Sequence, residues 1–235
     1  RTTMPPSACR NARLHSIGCP DVNRHRTRIK ICGLTREADL DAAVAAGADA
    51  VGFVFYVKSP RAVTAARAAE LARRLPPFVT PVGLFVNAAP AEIAAACTAI
   101  PTLLLQFHGD ESPADCEAPG RPFLRAARME AGLDLLDFAS RYRSACGLLL
   151  DAHVEGYGGG GKVFDWSLVP RSAPLPLVLS GGLNPANVAD GVRQLRPWAV
   201  DVSSGVESDA PGCKGIKDAA AIHRFCAAVR AADAD

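Results

Sequence analysis

The sequence predicts a single-domain α/β protein, a (β/α)8 barrel. Eight short segments rich in Val, Ile and Leu alternate with eight Ala-rich amphipathic segments between residues 28 and 235. The short segments are apolar at nearly every position, which is typical of parallel strands buried on both faces. Eight such units in a chain of this length fit a closed barrel. The alternative, an open doubly wound sheet, would favour a GxGxxG motif after the first strand, and the sequence there is CGLT.

The predicted strands are, in order, 28–32 (RIKIC), 50–55 (AVGFVF), 81–86 (PVGLFV), 103–107 (LLLQF), 122–126 (PFLRA), 146–151 (CGLLLD), 176–180 (PLVLS) and 199–203 (AVDVS). The predicted helices are 36–46, 63–74, 90–99, 112–117, 131–142, 166–169, 185–194 and 216–230. The fourth and sixth helices have the weakest amphipathic pattern.

The first 27 residues differ in composition from the rest, and we expect a disordered basic arm at 1–27 before a barrel domain at 28–235. The arm has five arginines, one acidic residue and no apolar periodicity. It lacks the apolar core of a secretory signal, and a transit peptide is a less favoured alternative. Because the arm accounts for the excess positive charge, we predict no nucleic-acid partner.

Eight cysteines are scattered along the chain without a CxxC pair or a spacing typical of zinc or haem sites. This pattern indicates reduced thiols in a cytoplasmic protein, and it disfavours a thiol-redox function. We predict no metal. No segment approaches the ~18 apolar residues of a membrane span, so we predict no membrane association.

A cysteine ends the first predicted strand, in segment 30–35 (KICGLT). Chemistry in such barrels takes place at the C-terminal ends of the strands, so Cys32 is a candidate nucleophile or base. We expect Thr35 to cap a helix whose first turn carries Glu37 and Asp39, and the positive end of that helix to favour the thiolate. The alternative is that Cys32 is a small buried hydrophobic residue.

A carboxylate ends the sixth predicted strand, where Asp151 follows a run of three leucines. It either caps a local turn or faces the mouth of the barrel, the open end at the C-terminal ends of the strands, as an acid. Strands 1 and 6 lie across the mouth from each other, so Cys32 and Asp151 would bracket one substrate as base and acid. A free thiol is only a few per cent ionised at pH 7, so we expect the pocket to favour the thiolate of Cys32 or the neutral form of Asp151.

Glycines and serines follow the seventh and eighth predicted strands, at Gly181, Gly182, Ser203, Ser204 and Gly205. These loops are the usual phosphate site of such barrels, because exposed backbone N–H groups bind an anion there. A single glycine pair would be explained as a tight turn. Two such loops on adjacent strands favour phosphate binding.

Four further polar residues are predicted near the mouth. Arg61, after strand 2, is either a solvated cation or a partner for a substrate carboxylate. Gln106 and His108 end strand 4 and are candidate substrate contacts, although a histidine there is more often structural. Asp201 lies within strand 8, where an acid needs a partner, such as a substrate amine or hydroxyl.

A run of four glycines at 158–161 follows the sixth strand and predicts a mobile lid. Asp165 is the predicted N-cap of the short helix that follows.

Six motifs in order resemble the phosphoribosylanthranilate isomerase family over residues 28–230: KICGLT (30–35), GFVF with SPR (52–61), QFHGDE (106–111), LD with FDW (150–166), SGGL (180–183) and DVSSGVE (201–207). The resemblance implies a cofactor-free Amadori rearrangement in tryptophan biosynthesis. It implies that Cys32 is the general base and Asp151 the general acid. It also implies that Arg61 and Asp201 hold the anthranilate and ribose, and that the two Gly/Ser loops hold the phosphate.

Two other readings stay open on the residues alone. A sister sugar-phosphate isomerase of the histidine pathway would have an Asp in place of Cys32. A non-catalytic phosphate-binding barrel would keep the glycine loops without needing both Cys32 and Asp151. The expected partner is a small phosphorylated sugar-anthranilate substrate, and the expected assembly is a monomer or a homodimer.

Overall fold

A computed structural model describes residues 26–130, 132–152 and 163–235 of the chain, and it confirms a closed barrel of eight parallel strands. Each strand pairs with the next along the chain, and the eighth pairs with the first. The strands are β1 (Arg28–Cys32), β2 (Ala50–Val54), β3 (Thr80–Phe85), β4 (Leu104–Phe107), β5 (Phe123–Met129), β6 (Gly147–Ala152), β7 (Leu177–Leu179) and β8 (Ala199–Val202).

Helices follow the strands as predicted, and most of them start one to four residues later than predicted. They are α1 (Glu37–Ala45), α2 (Ala65–Ala72), α3 (Pro90–Ala99), α4 (Pro113–Glu117), α5 (Leu135–Arg141), α6 (Val188–Leu195) and α7 (Ala219–Ala234). The two weakly predicted helices are the short α4 and a single 3-10 turn at Trp166–Leu168, and a second 3-10 turn at Ser204–Val206 precedes α7. Helix α5 starts later than predicted because β5 continues beyond residue 126.

Alternation along the strands separates the core into two layers. Leu148 and Leu150 of β6 belong to the large cluster that packs beneath the helices. Leu149 faces the other way and joins Ala126, Val178 and Ala199 in a small cluster that fills the barrel interior. Two residues further along β6 and β8, the interior positions are Asp151 and Asp201. Their polar side chains lie at the mouth of the barrel.

The capping predictions had mixed outcomes. Asp165 is the N-cap of the 3-10 turn, as predicted, because its side chain accepts from the backbone N–H of Ser167. The prediction for Thr35 is wrong, since the N-cap of α1 is Arg36, without a side-chain cap bond. Arg36 instead donates to the Asp39 carboxylate, one of two acidic groups in the first turn.

The barrel begins slightly before β1. The backbone and hydroxyl of Thr27 donate to the Asp233 carboxylate of α7, at 2.8 and 2.7 Å. Arg26 pairs with Asp49. Both residues were assigned to the arm, but they contact the barrel. The rest of the predicted arm and the predicted lid at 158–161 lie outside the described residues.

Candidate active site

A cavity of about 320 Å³ opens at the C-terminal ends of the strands. We call it the mouth cavity. Its lining includes ten of the eleven residues that the sequence predicts for the site: Cys32, Arg61, Gln106, His108, Asp151, Gly181, Gly182, Asp201, Ser203 and Ser204. Gly205 is the exception. A side chain there would collide with the backbone of Leu183, so this glycine lets the loops after β7 and β8 pack against each other.

Cys32 lies at the end of β1 and is only 3% exposed, although it lines the mouth cavity. Its sulfur lies against Gly52 of the paired strand β2, where an added Cβ atom would stand 2.6 Å from it. Burial raises the pKa of the Cys32 thiol, and the ammonium group of Lys30 only partly opposes this. Of the two expected alternatives, the one in which the pocket favours the thiolate of Cys32 is therefore wrong for the ligand-free protein.

A buried ion pair lies beside this thiol, and the sequence analysis did not identify it. Lys30 Nζ donates to Asp201 Oδ1 at 2.8 Å, and both side chains are almost completely buried. The register of β1 and β8 places these two residues directly opposite each other. A lysine two residues before Cys32 in an otherwise apolar strand was the available signal, because alternation puts both side chains on one face.

Asp151 has a different environment, at the end of β6. Its Oδ2 lies 2.9 Å from His108 Nε2, and His108 Nδ1 lies 3.1 Å from Gln106 Nε2. The structure thus joins three predicted site residues into one hydrogen-bonded chain. Gly181, at a φ of +78°, lies so close to Ala152 that a Cβ atom would collide with its backbone nitrogen.

The solvated alternative for Arg61 is wrong, since this side chain is 7% exposed. Its guanidinium donates to both carboxylate oxygens of Glu207, at 2.5 and 3.0 Å. Lys217, whose side chain is completely buried, donates to the same carboxylate at 2.9 Å. Burial alone would raise the pKa of Glu207, but the bonds from Arg61 and Lys217 outweigh it and lower the pKa to about 2.

This ionic cluster connects the loop after β8 to the base of the mouth cavity. Lys217 Nζ donates to the backbone oxygen and the hydroxyl of Ser203, at 3.0 and 3.3 Å. The hydroxyl of Ser203 donates in turn to the backbone oxygen of Cys32, at 3.1 Å. Sequence reasoning missed Glu207 and Lys217 because their partner Arg61 precedes them by about 150 residues.

Comparison with known proteins identifies the family. Residues 29–228 match the family model of N-(5'-phosphoribosyl)anthranilate isomerase. The chain belongs to the phosphoribosylanthranilate isomerase family. Its relative from Methylibium petroleiphilum, named N-(5'-phosphoribosyl)anthranilate isomerase, is 77% identical over 89% of this chain and 96% of the relative. A Leptothrix cholodnii relative of the same name is 72% identical over 89% of this chain and 93% of its own length.

Solved phosphoribosylanthranilate isomerases share the fold. The Thermotoga maritima structure superposes with a TM-score of 0.78 at 41% identity, covering 87% of this chain and 99% of that one. Another isomerase structure, solved with reduced 1-(o-carboxyphenylamino)-1-deoxyribulose 5-phosphate, has a TM-score of 0.75 at 38% identity over 87% of this chain and 99% of that one. These matches confirm the predicted barrel and the predicted isomerase of tryptophan biosynthesis.

Proposed function

We propose that the mouth cavity holds N-(5'-phosphoribosyl)anthranilate, and that Cys32 and Asp151 rearrange it to 1-(2-carboxyphenylamino)-1-deoxyribulose 5-phosphate. The observation that carries this proposal is that a thiol from β1 and a carboxyl from β6 line the same 320 Å³ cavity. A cavity of this volume is at the lower end of the range for small-molecule sites. A substrate in it would lie between the two proton carriers.

The reaction moves one proton onto the sugar and removes another. Asp151 protonates the furanose ring oxygen, and the ring opens as an iminium ion forms between C1 and the anthranilate nitrogen. Cys32, as thiolate, removes the proton from C2, and the C–H electron pair moves toward the iminium nitrogen to give an enolamine. The enolamine tautomerises to the ketone. The iminium accepts the electrons, so the chemistry calls for no cofactor.

The hydrogen-bonded chain behind Asp151 suits an acid that changes its protonation state. With the Gln106 amide nitrogen donating to His108 Nδ1, the proton of His108 is on Nε2 and is donated to an ionised Asp151. Among the described residues, no group bonds the other amide atom, Gln106 Oε1. If the amide turns over, Oε1 accepts from Nδ1–H, and Nε2 accepts from a protonated Asp151. The same three side chains therefore hold both forms of the acid.

The ionic cluster and the glycine loops suit the two anionic ends of the substrate. Arg61 lines the mouth cavity and shares the single carboxylate of Glu207 with the buried Lys217, so this side of the cavity suits a carboxylate. Gly181 and Gly182 both have positive φ angles, of +78° and +65°, which keep their loop open to an anion. We assign the anthranilate carboxylate to the Arg61 side and the phosphate to the loops after β7 and β8, with Asp201 holding the ribose.

The test is turnover of phosphoribosylanthranilate, followed by the loss of its fluorescence. We expect Cys32→Ala and Asp151→Asn each to lower kcat by roughly 10²- to 10⁴-fold, the usual contribution of a general base or acid. Cys146→Ala is a matched control, because it removes an exposed thiol at the opposite end of β6. Near-normal turnover in either site variant would remove that residue from its role.

We also propose a cytoplasmic homodimer. A Thermotoga maritima structure, with a TM-score of 0.74 at 37% identity, is described as that of generated monomers of a dimeric phosphoribosylanthranilate isomerase. In this chain Phe78 is 99% exposed, has a φ of +73°, and lies beside a cavity of about 440 Å³ lined by Leu75, Pro76 and Pro81. A large apolar side chain held out of the surface beside an apolar hollow suits a second copy of the chain. The mass in solution of the Phe78→Asp variant tests this contact.

Within the described part of the chain, none of the helices combines the length and hydropathy needed to cross a bilayer.

A further inference from the structure

Lys30 is a buried cation that the reaction as described does not use. Its side chain is almost completely buried and lies opposite Asp201 of β8, which lines the mouth cavity. A buried ammonium group is costly to desolvate, and a Met or Leu would fill the same space at lower cost. An ion pair at this buried interior position therefore indicates a chemical role.

The position of Lys30 on β1 points to that role. Lys30 and Cys32 are two residues apart on one strand, so both side chains are on the interior face. Lys30 Nζ donates to Asp201 at 2.8 Å, and its positive charge also favours the thiolate of Cys32. The carboxylate and the sulfur are thus both influenced by one ammonium group.

We propose that Lys30 is a positioning residue for the isomerisation: its ammonium group stabilises the thiolate of Cys32, and Asp201 holds that ammonium group in place. The role rests on Cys32 acting as the base proposed above. Burial raises the pKa of Cys32, and Lys30 is the largest opposing influence. Burial alone would lower the pKa of Lys30, but Asp201 and Cys32 outweigh it, so the amine stays protonated and supplies the positive charge.

Other charged groups also surround the sulfur. Asp201 disfavours the thiolate, and Lys217 favours it more weakly than Lys30 does. Arg61 packs against Gly33, the residue after Cys32, but its guanidinium is held by Glu207. The neighbouring strand β2 presents only Gly52. Lys30 is thus the cation with the strongest influence on Cys32.

The same arrangement links substrate binding to the base. A ribose hydroxyl or an amine that donates to Asp201 competes with Lys30 for the carboxylate. The ammonium group then interacts more strongly with sulfur, and the thiolate becomes more favourable when the sugar is in place. The base is thereby strengthened at the point when it is needed.

Two measurements test this role, using Lys30→Met and Lys30→Arg. The first is the pH dependence of kcat/KM for phosphoribosylanthranilate. We expect Lys30→Met to move the ascending limb of the pH profile to higher pH by one unit or more. At neutral pH kcat/KM should be at least tenfold lower, and at alkaline pH it should be partly recovered. Lys30→Arg retains the charge and is expected to keep the midpoint within about 0.3 unit. A loss of equal size at every pH would overturn the proposal, since that is the signature of damage to packing alone.

The second measurement is the rate at which iodoacetamide alkylates Cys32, followed by mass spectrometry of the peptide that carries it. Alkylation requires the thiolate and not turnover, so it separates the two proposals. We expect at least tenfold slower alkylation in Lys30→Met at pH 8.5, and a rate close to that of the unmodified protein in Lys30→Arg. Lys58→Met is a matched control, because it removes an exposed lysine from the same cavity lining.

The outcomes are distinct. Slow alkylation in Lys30→Met together with normal turnover in Cys32→Ala would mean that Lys30 controls the thiol but that the thiol is not the base. Unchanged alkylation in Lys30→Met would overturn the role of Lys30, whatever Cys32→Ala shows. If Lys30→Met does not fold, the double variant Lys30→Met/Asp201→Asn removes both charges and is expected to be alkylated more slowly than the unmodified protein.

Discussion

The two sides of the mouth cavity hold the two proposed proton carriers, Cys32 and Asp151, by different means. Cys32 lies beside an ion pair, whereas Asp151 lies at the end of a chain of hydrogen bonds through His108 to Gln106. A buried thiol is neutral by default, so a base there needs a nearby fixed cation. An acid that changes from neutral to ionised during a reaction is better stabilised by a partner that can either donate or accept a hydrogen bond.

The two sides also share one device. Each proposed proton carrier is held against a glycine of the next strand or loop, Gly52 for Cys32 and Gly181 for Asp151. A Cβ atom at either glycine would displace the side chain or its backbone. The orientation of both groups is therefore determined by neighbouring backbone, and their charge by neighbouring side chains.

The largest expected effect is a loss of stability on the side that holds the Lys30–Asp201 ion pair. Asp201→Asn leaves Lys30 as a buried cation without its counter-charge, and we expect the free energy of unfolding to fall by about 3 kcal/mol. Adding Lys30→Met to this variant should restore most of that loss, because the pair is then replaced by neutral groups. Urea unfolding of the two single variants and the double variant measures it. If the double variant is as unstable as the sum of the single variants, the pair is not coupled.

The charged side should also give a pH dependence of stability. The pKa of Glu207 is lowered from an ordinary 4.5 to about 2, so its stabilising contribution is complete above pH 4.5. That contribution, about 3 kcal/mol for a shift of this size, is lost as the pH falls from 4.5 toward 2. As the pH falls from 6 to 3, the free energy of unfolding measured with urea should decline less steeply in Glu207→Gln than in the unmodified protein. An equal slope in the two proteins would assign the acid sensitivity to other carboxylates.

The smallest expected effect comes from the hydrogen-bonded side. Gln106→Leu leaves His108 Nδ1 buried without its partner, at a cost of about 1 to 2 kcal/mol. We expect kcat to fall about tenfold, as for a weakened positioning contact, while KM stays nearly constant. The fluorescence assay separates the two constants. A raised KM with unchanged kcat would instead support the sequence-based interpretation of Gln106 as a substrate contact.

The parts of the site that follow from barrel geometry were predictable from sequence. Cys32 and Asp151 each end an apolar strand, and the rule that chemistry lies at strand ends identifies both. The support around them was not predictable, because it depends on register. Lys30 faces Asp201 only through the pairing of the first and last strands, and Arg61 meets Glu207 only through the packing of two distant loops.

The failed cap has a similar cause. Thr35 is an ordinary N-cap candidate, but α1 begins after Arg36, whose guanidinium binds Asp39. The carboxylate of Asp39 also accepts from the backbone N–H of Lys217, from the segment before α7. The start of α1 is thus also contacted by a residue near the other end of the chain, and the sequence around Thr35 gives no sign of that contact.

The pairing of β1 with β8 has a consequence for how the protein matures. The counter-ion of Lys30 is made 171 residues after it, on the strand that closes the ring. A nascent chain on the ribosome therefore carries the thiol long before the surroundings that govern it exist. The sulfur is exposed until the ring closes and buried afterwards, so its reactivity is a reporter of ring closure and should fall only after the eighth strand has left the exit tunnel.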